Sequence, residues 1–154
     1  MDALYQSHVI SWNLTKKCNL RCEHCYISAG RITREEAQDE LSTEECLAVV
    51  DDICEVNPSA LLILTGGEPL LRKDVFEIAG YASERGLWPV VGTNGVLVTH
   101  VLAERMIDAG IRGMALSLDA LDAATHDRFR MVEGAWQNTG ELSLIHISEP
   151  TRPY

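Results

Sequence analysis

The 154 residues amount to one domain, and 46% hydrophobic content is enough to bury a core and too much for a disordered segment. No run of about 18 apolar residues occurs and no basic stretch precedes a long apolar one, so neither a membrane span nor a secretory leader is expected. A net charge of -10 argues against nucleic acid or another polyanion as partner. The expected location is cytoplasmic, where the five cysteines stay reduced and serve metal binding or catalysis rather than disulfides.

The segment HVISWNL, residues 8–14, mixes β-branched and apolar residues and predicts a strand. It runs into KKCNLRCEHCY, residues 16–26, which places Cys18, Cys22 and Cys25 on a loop. The polar stretch 29–40 reads as a solvated loop or a frayed helix. Ser42 and Glu45 form a capping-box pattern, and Cys46, Val49, Val50, Ile53 and Cys54 follow at helical spacing up to a stop at Asn57-Pro58. On that apolar stripe a thiol behaves as a small hydrophobe, so Cys46 and Cys54 are expected in the core and not as ligands.

Leu61 to Leu64 is a short apolar run bounded by Pro58 and Gly66, as in a parallel strand covered on both faces. Residues 73–85 predict a helix stopped by Gly86, and 87–95 an apolar strand ending in glycines. Thr99 caps a helix that Gly110 closes, 113–119 is a further strand, and Asp122 can cap a fourth helix. Strand and helix alternating in this way predict βαβ units and a parallel sheet, doubly wound or rolled into a barrel. In both arrangements ligands bind at the carboxyl ends of the strands. The loops there carry the three cysteines, then Gly66, Gly67 and Glu68, then Asn94, and finally Ser117 and Asp119. Each is weak alone, because glycine pairs, Asn-Gly and strand-end Ser or Asp are common in turns and caps.

The spacing Cys18-x3-Cys22-x2-Cys25, followed about forty residues later by Gly66-Gly67-Glu68-Pro69, resembles the radical S-adenosylmethionine (radical SAM) enzymes. The stretches WNLTKKCNLRCEHCY, TGGEPLL and SLDALDAATHDRFR resemble most the members that act in haem biosynthesis and peptide maturation. The resemblance implies that Cys18, Cys22 and Cys25 hold three irons of a 4Fe-4S cluster. The fourth iron is left to the amino and carboxylate groups of S-adenosylmethionine, much as a catalytic zinc keeps one position free of protein. The reduced cluster would cleave the cofactor to methionine and a 5′-deoxyadenosyl radical, which abstracts hydrogen from a small-molecule or peptide substrate, with an electron donor such as a flavodoxin or ferredoxin. His24 matches the position placed against the adenine. Gly66, Gly67 and Glu68 match the stretch that meets the methionyl amino group, where glycine permits close approach and the Glu68 carboxylate can accept from an ammonium. Asn94, Ser117 and Asp119 are placed for the ribose hydroxyls or the methionyl carboxylate.

Two departures accompany the resemblance. Arg130-Met131-Val132-Glu133-Gly134 stands where Arg-Gly and a proline are expected, a change in a loop and not at the cluster. The family core is a partial barrel of about six βα units, of which four are visible. Residues 1–141 are therefore expected to be the N-terminal portion of that core, with an exposed edge that favours aggregation. The last stretch, LSLIHISEPTRPY, resembles translated sequencing adapter, so 142–154 is expected to be a non-native tail. The rival readings are a zinc module built on the same three cysteines and a histidine, and an inert fragment that holds a cluster without turnover.

Overall fold

The computed structural model describes residues 8–31, 33 and 39–140. Four strands, β1 (Val9–Thr15), β2 (Leu61–Gly66), β3 (Trp88–Thr93) and β4 (Gly113–Leu116), alternate with the helices α1 (Thr43–Val56), α2 (Val75–Glu84), α3 (His100–Asp108) and α4 (Ala123–Arg130). All strand pairs are parallel and the sheet order is β1-β2-β3-β4. The order never reverses. A doubly wound sheet changes direction at a switch point, so this winding is that of a partial (β/α) barrel wall. The expectations for 34–38 and for the tail fall outside the described residues.

The helix starts follow from their caps. Ser42 Oγ accepts from Glu45 N at 3.2 Å while the Glu45 carboxylate accepts from Ser42 N at 2.8 Å, which closes the predicted capping box of α1. Thr99 accepts from Leu102 N at 3.2 Å and Asp122 from Thr125 N at 2.9 Å, opening α3 and α4. Asp74, at the start of α2, makes no cap; its carboxylate is held by Arg72 and by the Thr43 hydroxyl instead.

The core lies where α1, α2 and α3 meet one face of the sheet. Leu62 and Leu64 of β2 are fully buried there with Val50, Val75 and Ile78, and Met106 is nearly so; a fully buried leucine contributes about 2 kcal/mol. Cys46 is fully buried and Cys54 packs against the same cluster, as the helical spacing requires. Leu61 and Ile63, pointing the other way, are only half-buried. β2 is thus not covered equally on both faces: the helices lie on one side, and the other faces the interior of an open barrel wall. β4 also ends at Leu116, earlier than its apolar pattern suggests. Ser117 N still donates to Thr93 O at 3.1 Å, but the chain then turns to meet Arg130.

Candidate cofactor site

The loops after the four strands close around a cavity of about 220 Å³. Cys18, Cys22 and Cys25 line it, together with His24, Gly66, Gly67, Asn94, Ser117 and Arg130. The sequence-predicted residues therefore converge as strand-end positions should, with two exceptions. Glu68 lies beneath the cavity, and Asp119 stands at a neighbouring recess beside His24 and Phe129.

The cysteine loop is shaped by backbone contacts. Thr15 Oγ1 accepts from Lys17 N at 2.9 Å and turns the chain out of β1. Gly30, with a φ of 72°, closes the loop by donating to Lys16 O at 3.3 Å. From below, Gly67 N donates to Thr15 O at 2.7 Å and Glu68 N to Lys17 O at 2.8 Å. A Cβ on Gly66 would strike the Thr15 backbone, and one on Gly67 the Lys17 carbonyl. Both glycines are thus required by the approach of the β2 loop to the cysteine loop, whatever a ligand asks of them. Gly66 also sits at a φ of 131°, outside the range of ordinary side-chain-bearing residues.

All three thiols are free and half-buried, and each sulfur faces at least one donor, Cys18 Sγ also meeting Asn94 Nδ2 at 3.9 Å. Leu20 N lies 3.4 Å from Cys18 Sγ, Ala29 N 3.2 Å from Cys25 Sγ, and Arg130 Nη1 3.7 Å from Cys22 Sγ. Burial pushes the Cys18 thiol pKa up; the Leu20 amide opposes this, and the Glu68 charge adds to it. A metal centre must displace that proton on binding. Among the described residues no three or more His, Cys, Asp or Glu side chains are grouped to hold one metal ion. Thiols arranged around a cavity, each with its own donor, suit a polynuclear centre in which every sulfur holds a different iron and hydrogen bonds to sulfur stabilise negative charge. The donor set fits a 4Fe-4S cluster with three protein ligands.

Glu68 is fully buried. Its carboxylate accepts from Thr93 Oγ1 at 2.9 Å, Asn94 N at 2.9 Å and Leu70 N at 3.2 Å, so it ties the loops after β2 and β3 together. Burial raises its pKa, and the same donors pull the other way. Asn94 Nδ2 donates to Asn19 Oδ1 at 2.8 Å, and Thr139 Oγ1 lies 2.9 Å from Asn94 O, which fixes the β3 loop to the cysteine loop and to the helical segment 135–140. His24 Nε2 is 3.6 Å from Asp119 Oδ1, and its ring meets Phe129 edge-on at 5.6 Å. Tyr26 is 81% exposed, with its hydroxyl 3.2 Å from Asn13 Oδ1.

Arg130 is the site residue whose side chain the sequence reading leaves without a role. It is 9% exposed, and its Nε and Nη2 donate to Asp119 at 2.6 and 2.9 Å. The 130–134 segment is therefore not remote from the cysteines, because Arg130 reaches Cys22. Its partner in sequence is His126, four residues earlier on α4 and also buried. That i, i+4 pair marks the inward face of the helix, but its polarity hides it from an apolar pattern. Met131 takes a φ of 55°, where the expected glycine would be unstrained.

A family model described as the Radical SAM superfamily matches residues 12–140. An AdoMet-dependent heme synthase of Methanosarcina barkeri is 42% identical over 131 residues, covering 85% of this chain and 36% of that protein. A Fe-coproporphyrin III synthase of the same organism is 41% identical over 128 residues, covering 83% of this chain and 31% of that protein. The chain thus spans about a third of the length of these curated relatives. Among solved structures, BtrN in complex with AdoMet and 2-DOIA superposes with a TM-score of 0.62 at 22% identity, covering 79% of this chain and 49% of that one, a likeness of fold. Matched along most of its length by the family model and at this level of identity by curated relatives, the chain belongs to the radical SAM superfamily.

Proposed function

We propose that this chain is the cofactor-binding part of a radical SAM enzyme, that Cys18, Cys22 and Cys25 hold a 4Fe-4S cluster, and that S-adenosylmethionine completes the fourth iron. The observation that carries this reading is the placement of three free thiols around one cavity at the carboxyl ends of the strands, each sulfur facing at least one N–H donor. When bound, such a cluster supplies one electron for reductive cleavage of the sulfonium, giving methionine and a 5′-deoxyadenosyl radical. The chain's own residues orient and shield. Gly66 and Gly67 let the β2 loop close on the cysteine loop at the methionyl end, Asn94 and Ser117 offer polar groups to the ribose or carboxylate, and His24 stands at the adenine side of the cysteine loop. Glu68 acts from beneath by holding the loops in register, and Asp119 by holding Arg130.

Hydrogen abstraction from a tetrapyrrole is the activity proposed for the whole protein, supported by the names of the two relatives above. A peptide is the other substrate class that the family resemblance implies. A flavodoxin or ferredoxin is the proposed electron donor. The test is anaerobic reconstitution with iron and sulfide, followed by reductant and S-adenosylmethionine, with 5′-deoxyadenosine measured by chromatography. Cluster absorption and 5′-deoxyadenosine are expected. Stoichiometric zinc without sulfide would overturn the reading, and a cluster without cofactor cleavage would identify this chain as an inert cluster-binding portion.

A further inference from the structure

Arg130 occupies a position that a simple surface salt bridge does not explain. The guanidinium is nearly buried, and two of its three nitrogens are taken by Asp119 side-on, with Nη2 also 3.3 Å from Ser117 O. Nη1, on the opposite side of the fork, is directed at Cys22 Sγ at 3.7 Å. A planar fork held at both carboxylate oxygens cannot swing, so the third nitrogen is fixed where it points. A lysine could satisfy Asp119 or the sulfur, but not both.

The helix that carries this charge is independently docked on the cysteine loop. Glu23 N donates to Phe129 O at 3.0 Å, and the His24 ring packs edge-on against Phe129. Loop attachment therefore does not depend on the Arg130 side chain alone. Cys25 receives only the neutral Ala29 N–H and Cys18 only the neutral Leu20 N–H and Asn94 amide, so Cys22 is singled out as the sulfur beside a full positive charge.

We propose that Arg130 is a positioning residue for the cluster: clamped by Asp119, it holds Cys22 in place and sets a fixed positive charge against that sulfur, which stabilises the reduced state and keeps the reduction potential up. This rests on the 4Fe-4S reading above. A cluster gains negative charge on reduction, and a desolvated cation at a ligand sulfur favours that form. The Asp119 carboxylate offsets the effect only in part, because it binds the side of the fork away from Nη1.

The experiment is a redox titration followed by electron paramagnetic resonance, on the reconstituted chain and on Arg130→Met and Arg130→Lys, each first assayed for iron and sulfide. Arg130→Met is expected to lower the one-electron reduction constant at least tenfold, a downward shift of about 59 mV or more. Arg130→Lys keeps a cation but loses the clamp, and should fall between Arg130→Met and the parent. If Arg130→Met holds no cluster, Arg130→Lys decides, with a downward shift supporting the proposal and an unchanged potential overturning it. Equal potentials in all loaded variants would overturn it and leave the cluster reading intact. A parent chain that takes up no iron and sulfide would instead remove the cluster reading on which it rests.

Discussion

At the residue scale the chemistry of the site is divided between groups that face the cavity and groups that hold them. That Cys18, Cys22 and Cys25 would face one cavity was legible in the sequence, because their loop follows a strand and two glycine motifs follow further strands. Cys46 and Cys54 were equally legible as core, since the helical period puts them on one buried stripe. Glu68 was not. Its sequence position suggests an acceptor for a ligand's ammonium, while its side chain is buried and saturated by Thr93, Asn94 and Leu70. Replacing it with alanine leaves these donors unmatched and should cost about 3 kcal/mol, measured by urea unfolding of the metal-free chain. A loss below about 0.5 kcal/mol would show that the carboxylate is not the tie between the loops. Met131→Gly should stabilise by about 0.5 kcal/mol, the roughly 1 kcal/mol of left-handed strain less the entropy a glycine loses on folding. An unchanged or lower unfolding midpoint would contradict that strain.

At the element scale the caps of α1, α3 and α4 could be read directly, because an N-cap uses neighbours three residues apart. The start of α2 could not, because Asp74 serves a distant partner. Arg72 donates to Asp74, to Leu14 O at 3.0 Å and to Leu41 O at 2.7 Å, so this pair joins β1, the approach to α1 and the approach to α2. The Arg72 hydrogen bonds hold the Asp74 pKa below its ordinary value, against a smaller opposing effect of burial. A carboxylate depressed in the folded state adds stability that is full above its unfolded pKa and lost as pH falls through the folded one. Asp74→Asn should therefore lower stability at neutral pH and make the acid limb of the stability-pH curve, below about pH 4, shallower. Parallel curves for the two proteins would contradict this. The β2 loop offers a second test. Gly67→Ala forces a Cβ against the Lys17 carbonyl and should cost about 2 kcal/mol, with thermal unfolding as the measurement. A cost near zero would mean the cysteine loop gives way.

At the scale of the whole molecule, alternation of strand and helix indicated a parallel sheet but left its winding open. Order is a long-range property, settled by which strand buries its backbone against which, and here each strand pairs with its sequence neighbour. β4 is consequently an edge, and beside it Ala103, Met106, Ile107, Ile111 and Met114 line an apolar groove of about 200 Å³ in which Ile107 is 72% exposed. An exposed strand edge next to apolar side chains promotes self-association. Ile107→Lys should reduce light scattering at high protein concentration without changing cluster uptake, and unchanged scattering would place the sticky surface elsewhere. The same sheet order sets all four strand ends on one rim, where three cysteines, on the function proposed above, leave one iron for the cofactor. The direct measurement is the electron paramagnetic resonance spectrum of the reduced, reconstituted chain with and without S-adenosylmethionine. A spectrum that shifts on adding the cofactor, and a signal lost in Cys22→Ala but kept in Cys54→Ala, is the predicted result. A spectrum unmoved by saturating S-adenosylmethionine would contradict an open iron at this site.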